Sequence, residues 1–317
     1  MKNAILLLPL AFFILLSVNA FSQNTTHSDA DTLILMNKEI ARKLLKEYEN
    51  TKELKNDLVP DYSKDWMVTD RPHVAESPTL VPKSFAQLET GFLYQKTKTN
   101  VTNTTDITYN TSLIRIGLSR RFEARIEMSY EVTKTFNISN DSVTTNTNGL
   151  SGLNLGSKVF LFDGHGIIPK GTLLYGISLP FIGSKEYRPS YSAAEIKFLF
   201  LNRINHFYEF EYNVGAQWDG NTLNTAYAYA LNNEFELSEK LHCFAELYGY
   251  FYENSGSDDR FNGTFTNDHR ANAGFWYLFN ENLQLDISGG IGLSKISPNY
   301  YFAVAFSNRL KMPRHIR

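Results

Sequence analysis

An aspartate, a histidine and a serine lie close together in the stretch TDRPHVAESPTLVPKSF, which begins at Thr69. Asp70, His73 and Ser77 are the residue types of a hydrolytic triad, in which a base activates a serine for nucleophilic attack. A triad serine needs a sharp turn, a base within reach and donors for an oxyanion. Proline fixes φ and pushes the preceding residue toward an extended backbone, which would hold the three side chains apart. The sequence therefore disfavours catalysis here, because the stretch contains Pro72, Pro78 and Pro82.

The other residues that could do chemistry form no recognisable site. The seven histidines show no metal-ligand spacing, so neither a metal nor any other cofactor is predicted. Cys243 is the single cysteine, which excludes a disulfide within the chain and a cysteine metal cluster. The formal net charge of -2 gives no case for a nucleic-acid partner.

The N-terminus predicts export. Residues 1–22 have a positive start at Lys2, an apolar core over Ala4–Val18 and small residues before Gln23, which is the pattern of a signal peptide. The apolar core is short against the roughly 20 residues that a spanning helix needs, so a membrane anchor is the weaker alternative. Residues 23–66 form a separate, periplasmic segment, with helical spacing of apolar residues over Asp31–Leu58.

From Phe85 onward the apolar residues recur with a period of two. In FEARIEMSYEV, which begins at Phe122, apolar side chains alternate with Glu, Arg and Ser. Such segments begin near Phe85, Thr108, Phe122, Gly149, Ile168, Ser192, His206, Leu223, Leu241, Thr264, Leu283 and Asn299. Alternating segments of about ten residues separated by turns are typical of membrane barrels. The sequence predicts an all-β fold, an antiparallel transmembrane β-barrel of about 12 strands over residues 85–310. A soluble β-sandwich is the alternative.

The connections between these segments support a barrel because they alternate in length, except that the seventh and the eleventh are short. The first, Lys96–Ile107, and the third, Asn137–Asn148, are long and polar, whereas Ser119–Arg121 is tight. Outer-membrane barrels have short periplasmic turns and longer external loops, so the N-terminus is expected in the periplasm. The last strand, with Phe306 near its end, should carry the signal for the barrel-assembly machinery, and residues 311–317 form a basic tail.

The polar positions of the alternating segments should face the lumen. The candidates for lining it are Glu89, Arg115, Glu123, Arg125, Glu127, Glu209, Glu211, Glu246, Arg270 and Asp286. Charges inside a narrow lumen need partners, so these residues either form ion-pair networks across strands or act as a selectivity lining. Twelve strands lie between barrels filled by side chains, with about eight, and open channels with 16–18, which suits one small molecule.

The lead-in segment, residues 67–84, carries a spaced motif. TDRP is followed by SP and VPK, and then by Gln87-x-Glu89-x-Gly91. This pattern resembles the outer-membrane barrel family named for the meta-pathway of phenol degradation, often called transporters. The motif residues in the lead-in segment are Asp70, Arg71, Pro72, Ser77, Pro78 and Pro82. Ser84 stands where the family usually has Gly, which leaves a tight turn there without support.

The resemblance implies an outer-membrane β-barrel that passes a small, aromatic or apolar compound, and it carries over no catalytic residues. Asp70 and Arg71 are expected to pair with charges at the periplasmic rim. The alternatives are a structural or adhesive barrel without solute passage and, third, a lipase-like barrel enzyme, for which no H-x-S spacing occurs. The expected partners are membrane lipid, a small solute and the assembly machinery.

Overall fold

The computed structural model describes residues 65–71, 73–138, 142–222, 224–253 and 265–313. The chain divides into two compact units, Met1–Pro60 and Asp61–Arg317, and all the described residues belong to the second. The predicted signal peptide, most of the N-terminal segment with its helix, and the end of the basic tail lie outside the described residues. In the part of the chain that is described, no helix is long and apolar enough to cross a membrane.

The described residues form thirteen strands in one antiparallel sheet. The strands are β1 Phe85–Lys98, β2 Thr102–Gly117, β3 Phe122–Asn137, β4 Ser142–Leu150, β5 Asn154–Phe162, β6 Lys170–Ser178, β7 Ala193–Arg203, β8 Tyr208–Trp218, β9 Ala226–Glu236, β10 Leu241–Glu253, β11 Phe265–Asn280, β12 Leu283–Gly292 and β13 Tyr300–Lys311. Several begin at the residue that the alternation predicts, among them β1, β3, β10 and β12.

The sheet closes on itself because β1 pairs with β2 on one side and with β13 on the other. β4 and β5 both pair with β3, one after the other along its length, so together they fill a single position in the ring. The barrel therefore has twelve positions, as predicted. Closure removes the free edges that a β-sandwich would keep, which excludes the alternative fold.

The two faces of the barrel are reversed relative to a soluble protein. Large apolar side chains such as Ile126, Phe198, Leu247 and Phe275 are exposed on the outside. The fully buried side chains include Arg115, Lys158, Gln87, Gln284, Glu89, Glu123 and Asn232. An apolar outer surface suits lipid, and a closed ring pairs every strand within the hydrocarbon region.

Two predicted loops are wrong. The polar segments Lys96–Ile107 and Asn137–Asn148 are largely strand, because β1 ends at Lys98 and β2 begins at Thr102, while β3 ends at Asn137 and β4 begins at Ser142. Their many threonines are β-branched and pair well across strands, as in the contact of 3.2 Å between the Thr104 and Thr135 hydroxyls. The long hairpins β1–β2 and β3–β4 therefore replace the expected long loops.

Candidate functional site

The lead-in segment lies inside the barrel. Ala75, Ser77 and Val81 are at most 2% exposed. The segment begins beside the β11–β12 turn, where the Met67 amide donates to the Glu281 carbonyl over 2.9 Å. It leaves at the same end, where the Ser84 amide donates to the Gly117 carbonyl over 3.1 Å. The lead-in segment is therefore a loop inserted into the lumen from the end where the chain enters β1.

The return of the lead-in segment to β1 is tight. The Phe85 amide donates to the Pro82 carbonyl over 3.1 Å, which closes a turn, and Ser84 has a φ of 68°. This left-handed conformation favours glycine. A tight turn is therefore present although Ser84 replaces the family's usual Gly. A Cβ on Gly117 would lie 2.0 Å from the Pro82 carbonyl oxygen, so the close approach of the segment requires that glycine.

Side chains of the barrel wall accept hydrogen bonds from the backbone of the lead-in segment. The amide of Asp70 donates to the Glu89 carboxylate over 3.0 Å. The amide of Val74 donates to Glu246 over 2.9 Å, and that of Val81 donates to Glu123 over 2.7 Å. A proline-rich segment outside any sheet has no ladder partners, so its buried N–H groups need such acceptors. Inward carboxylates thus hold the loop as well as pairing with inward bases such as Arg115.

Asp70 is the centre of the charge network in the lumen. Its carboxylate lies 2.6 Å from Lys158 Nζ and 3.4 Å from an Arg115 guanidinium nitrogen, and it also contacts Arg125. Burial alone would favour the neutral acid, but Arg115, Lys158 and Arg125 outweigh it and hold the pKa of Asp70 well below its usual range. The expectation that Asp70 pairs at the rim is therefore wrong, since the bases that attract it lie in the interior.

Arg115 joins the lead-in segment to three strands. Its guanidinium lies 2.8 Å from Glu123 and 2.9 Å from Glu89, and it also donates to the carbonyls of Val68 and Thr79. A fully buried guanidinium with its donors occupied in this way is held by charge-assisted hydrogen bonds. Of the two roles that the sequence left open for the inward charges, these contacts are those of an ion-pair network.

Glu76 anchors the tip of the lead-in segment. Its carboxylate lies 2.7 Å from Arg125 on β3 and 3.0 Å from Lys197 on β7, and its amide donates to Asn213 on β8 over 2.6 Å. Burial raises the pKa of Glu76, but Arg125 and Lys197 outweigh that effect and lower it to about 2. The tip is therefore pinned to two walls of the lumen by an ionised carboxylate.

The residue types of a triad do not assemble. Asp70 accepts from the Ser77 amide over 3.2 Å, not from His73, and the His73 ring nitrogen Nδ1 donates to the Ala75 carbonyl. The Ser77 hydroxyl accepts from the Thr79 amide over 3.3 Å. These contacts hold a loop in shape and do not connect His73 to Ser77 or Asp70 as a triad requires, although the Glu211 carboxylate contacts the Ser77 hydroxyl.

The strands β8, β9 and β10 form an acidic wall facing His73. Nε2 of His73 lies 3.8 Å from Glu211, and Nδ1 of His242 lies 3.8 Å from Glu234. His73, Glu211 and Glu234 each offer one ligand atom, and these atoms lie within 4.8 Å of one another. Sequence spacing missed this group, because its members come from three distant parts of the chain.

A group of tyrosines lines the lumen beside the tip of the lead-in segment. The hydroxyls of Tyr248 and Tyr301 are 3.0 Å apart, and these rings pack with Ala75, with Tyr250 next to them. The guanidinium of Arg270 lies 5.9 Å from the Tyr248 ring centroid and pairs with Asp268 over 2.6 Å. The inward parity of the run YGYFY on β10 is the sequence signal for Tyr248 and Tyr250.

The other residues that the sequence predicted to line the lumen, or to belong to the lead-in motif, are spread over the interior of the barrel. Arg71 pairs with Glu127 over 3.4 Å, and Glu209 pairs with Arg203, whose side chain is 73% exposed. Asp286 is 2% exposed, and its carboxylate has no hydrogen-bond partner among the described residues. In the lead-in segment, Pro78 is buried and its carbonyl accepts from Thr172 over 2.6 Å, whereas Pro72 lies outside the described residues.

A closed barrel with an apolar exterior, a charged interior and an inserted N-terminal loop defines a transmembrane β-barrel of the outer-membrane class. The chain belongs to the family described as "Putative MetA-pathway of phenol degradation", which it matches over residues 69–310. The match includes the lead-in segment as well as the barrel. No curated protein sequence matches the chain.

Solved structures with a similar fold are outer-membrane barrels. An outer membrane channel from Pseudomonas putida F1 has 12% sequence identity and a TM-score of 0.56, covering 76% of this chain and 99% of that chain. The KdgM porin has 10% identity and a TM-score of 0.41, covering 70% and 98%. The translocator domain of the autotransporter NalP from Neisseria meningitidis has 16% identity and a TM-score of 0.44, covering 71% and 88%. At 12% identity, the similarity to the Pseudomonas putida channel shows the fold alone.

Proposed function

We propose that this barrel is an outer-membrane channel for a small aromatic or apolar solute, and that the lead-in segment sets the width of the passage. The observation that carries the proposal is the course of the segment across the lumen. It contacts Lys158 on β5, Glu246 on β10 and Lys197 on β7 within a few residues. Because the lead-in segment crosses the lumen, the barrel has no room for the wide aqueous path of a general porin.

The chemistry of the lumen favours an aromatic solute. Tyr248 and Tyr301 are buried against Ala75, with Tyr250 beside them, so displacement of the lead-in tip would open their ring faces for stacking and their hydroxyls for a hydrogen bond to a phenol-like group. Arg270 and Asp268 lie beside them and neutralise each other as an ion pair. This part of the lumen therefore favours a solute without net charge. The family description, which names phenol degradation, agrees with this solute class.

We infer that the end carrying the lead-in segment and the C-terminus of β13 faces the periplasm. The turns at this end, such as residues 118–121, 204–207 and 281–282, are short, whereas the long β6–β7 connection, residues 179–192, lies at the other end together with the short β1–β2 turn. Short turns are periplasmic and longer loops external in outer-membrane barrels. Delivery by the barrel-assembly machinery, with β13 as the recognised strand, is part of the same proposal.

Recordings from planar lipid bilayers test the channel proposal. Glu76→Gln removes the charge that attracts Arg125 and Lys197, so the tip loosens and we expect conductance or open time to rise severalfold over wild type. Glu186→Gln, in the exposed loop between β6 and β7, is the matched control and should behave as wild type.

Solute entry gives the second measurement. Vesicles that contain the protein should take up phenol-like solutes faster than empty vesicles, and Glu76→Gln should increase the rate. If wild type and Glu76→Gln both remain silent, and the solutes enter no faster with protein present, the channel proposal fails. The barrel without solute passage then takes its place.

A further inference from the structure

His73 is held in a fixed orientation inside the lumen. Its ring packs edge-on against Phe244, with centroids 5.5 Å apart, and against Trp276, with centroids 6.0 Å apart. Nδ1 faces the Ala75 carbonyl, which can only accept, so Nδ1 carries a proton. In the neutral ring Nε2 then presents a lone pair toward Glu211, 3.8 Å away. Histidines that bind metals are commonly held through their other nitrogen in this way.

Two carboxylates face this nitrogen, and a buried amide lies beside them. Glu211 on β8 is 2% exposed, and Glu234 on β9 offers an oxygen within 4.8 Å of both Glu211 and His73. Asn232, fully buried on β9 opposite Glu211, donates its Nδ2 to Glu211 over 3.4 Å. Its Oδ1 has no hydrogen-bond partner among the described residues.

This arrangement is costly without a cation. Two carboxylates so close together, Glu211 buried and Glu234 partly exposed, repel each other, and a buried amide oxygen loses its hydration. Lys158, Arg115 and Arg125, on the facing wall, are engaged with Asp70. Lys170 lies near Glu211, and His242, 3.8 Å from Glu234, adds positive charge only when it is protonated. A divalent ion between the carboxylates would offset their repulsion.

We propose that His73, Glu211 and Glu234 bind one divalent transition-metal ion, with the Asn232 amide oxygen as a further donor. One imidazole and two carboxylates are a donor set that suits zinc and its first-row neighbours. The donor atoms must close by about 1–1.5 Å to reach zinc bond lengths, which side-chain rotation provides. The ion fastens the lead-in segment to β8 and β9. This site does not depend on solute passage, because a barrel that conducts nothing could also hold it.

Zinc binding to the refolded full-length protein tests the site. After treatment with a chelator, titration with Zn²⁺ in the presence of a chromogenic competitor should give one ion per chain. His73→Ala and Glu234→Gln should each weaken binding tenfold or more. His206→Ala, at the exposed β7–β8 turn, is the matched control and should leave the affinity unchanged.

Thermal unfolding is the second readout. Zn²⁺ should raise the unfolding temperature of wild type and of His206→Ala, but not of His73→Ala or Glu234→Gln. A heat-modifiable band on a gel shows that each variant has folded, and Glu234→Gln keeps the lead-in contacts of His73 intact. The proposal is overturned if folded wild type binds less than one ion, or if its affinity is the same in both variants. Either result would mean that His73 is simply an ion-pair partner of Glu211.

Discussion

At the scale of single residues, each buried charge of the lumen contacts particular groups of opposite charge. Arg115 meets Glu89, Glu123 and Asp70 within 3.4 Å while fully shielded from solvent. A buried ion pair adds little net stability over an apolar pair, but removal of one member leaves the others without compensation. The consequence of losing Arg115 is therefore set by the carboxylates that remain.

We predict that Arg115→Met lowers the free energy of folding into lipid vesicles by about 3–5 kcal/mol, because buried carboxylates are left unpaired. Arg203→Met is the matched control, since Arg203 is 73% exposed and pairs only at the end of the barrel. It should change stability by no more than about 1 kcal/mol. Urea titration of vesicle-inserted protein measures both, and equal effects would contradict the network described for Arg115.

At the scale of elements, the positions of the strands could be predicted from the sequence, but the path of the lead-in segment could not. Alternation predicted the starts of β1 and β3 because side chains of a strand that separates lipid from lumen must alternate. Prolines predicted that residues 67–84 avoid the sheet, but not that they turn into the lumen. Their acceptors are too distant in sequence, as with Val74 and Glu246, which are 172 residues apart. The same distance hid the group around His73.

The ends of the barrel can be told apart by cysteine labelling. In a Cys243→Ser background, we predict that Asn100→Cys, in the β1–β2 turn, reacts with an impermeant thiol reagent on whole cells. Asp163→Cys lies at the opposite end, between β5 and β6, and should react only after the outer membrane is opened. Both positions are exposed, so access to the reagent is the only difference. The reverse pattern would invert the proposed orientation.

At the scale of the whole molecule, lipid takes the place of a hydrophobic core. The apolar side chains face outward and the polar ones inward, so stability depends on how deep each outward position lies in the bilayer. Leu247 is exposed in the middle of β10, and Leu310 is exposed near the end of β13.

We predict that Leu247→Arg destabilises the vesicle-inserted barrel by about 2–4 kcal/mol, because a charge near the midplane meets hydrocarbon. Leu310→Arg makes the same chemical change near the interface and should cost only about 0–1 kcal/mol. Folding free energies in vesicles separate the two. A soluble β-protein would show no dependence on depth, and equal losses would contradict the membrane placement.

The lead-in segment enters and leaves the lumen at one end, so the ring and the loop are not interlinked. The barrel can close, with β13 against β1, before the loop goes in, and the loop can withdraw without breaking a hydrogen bond between strands. Because Ser84 joins the loop directly to β1, its docking is intramolecular, with an effective concentration on the order of millimolar. Contacts that would be too weak for a free peptide therefore suffice to seat the loop, and the loss of several of them releases it reversibly.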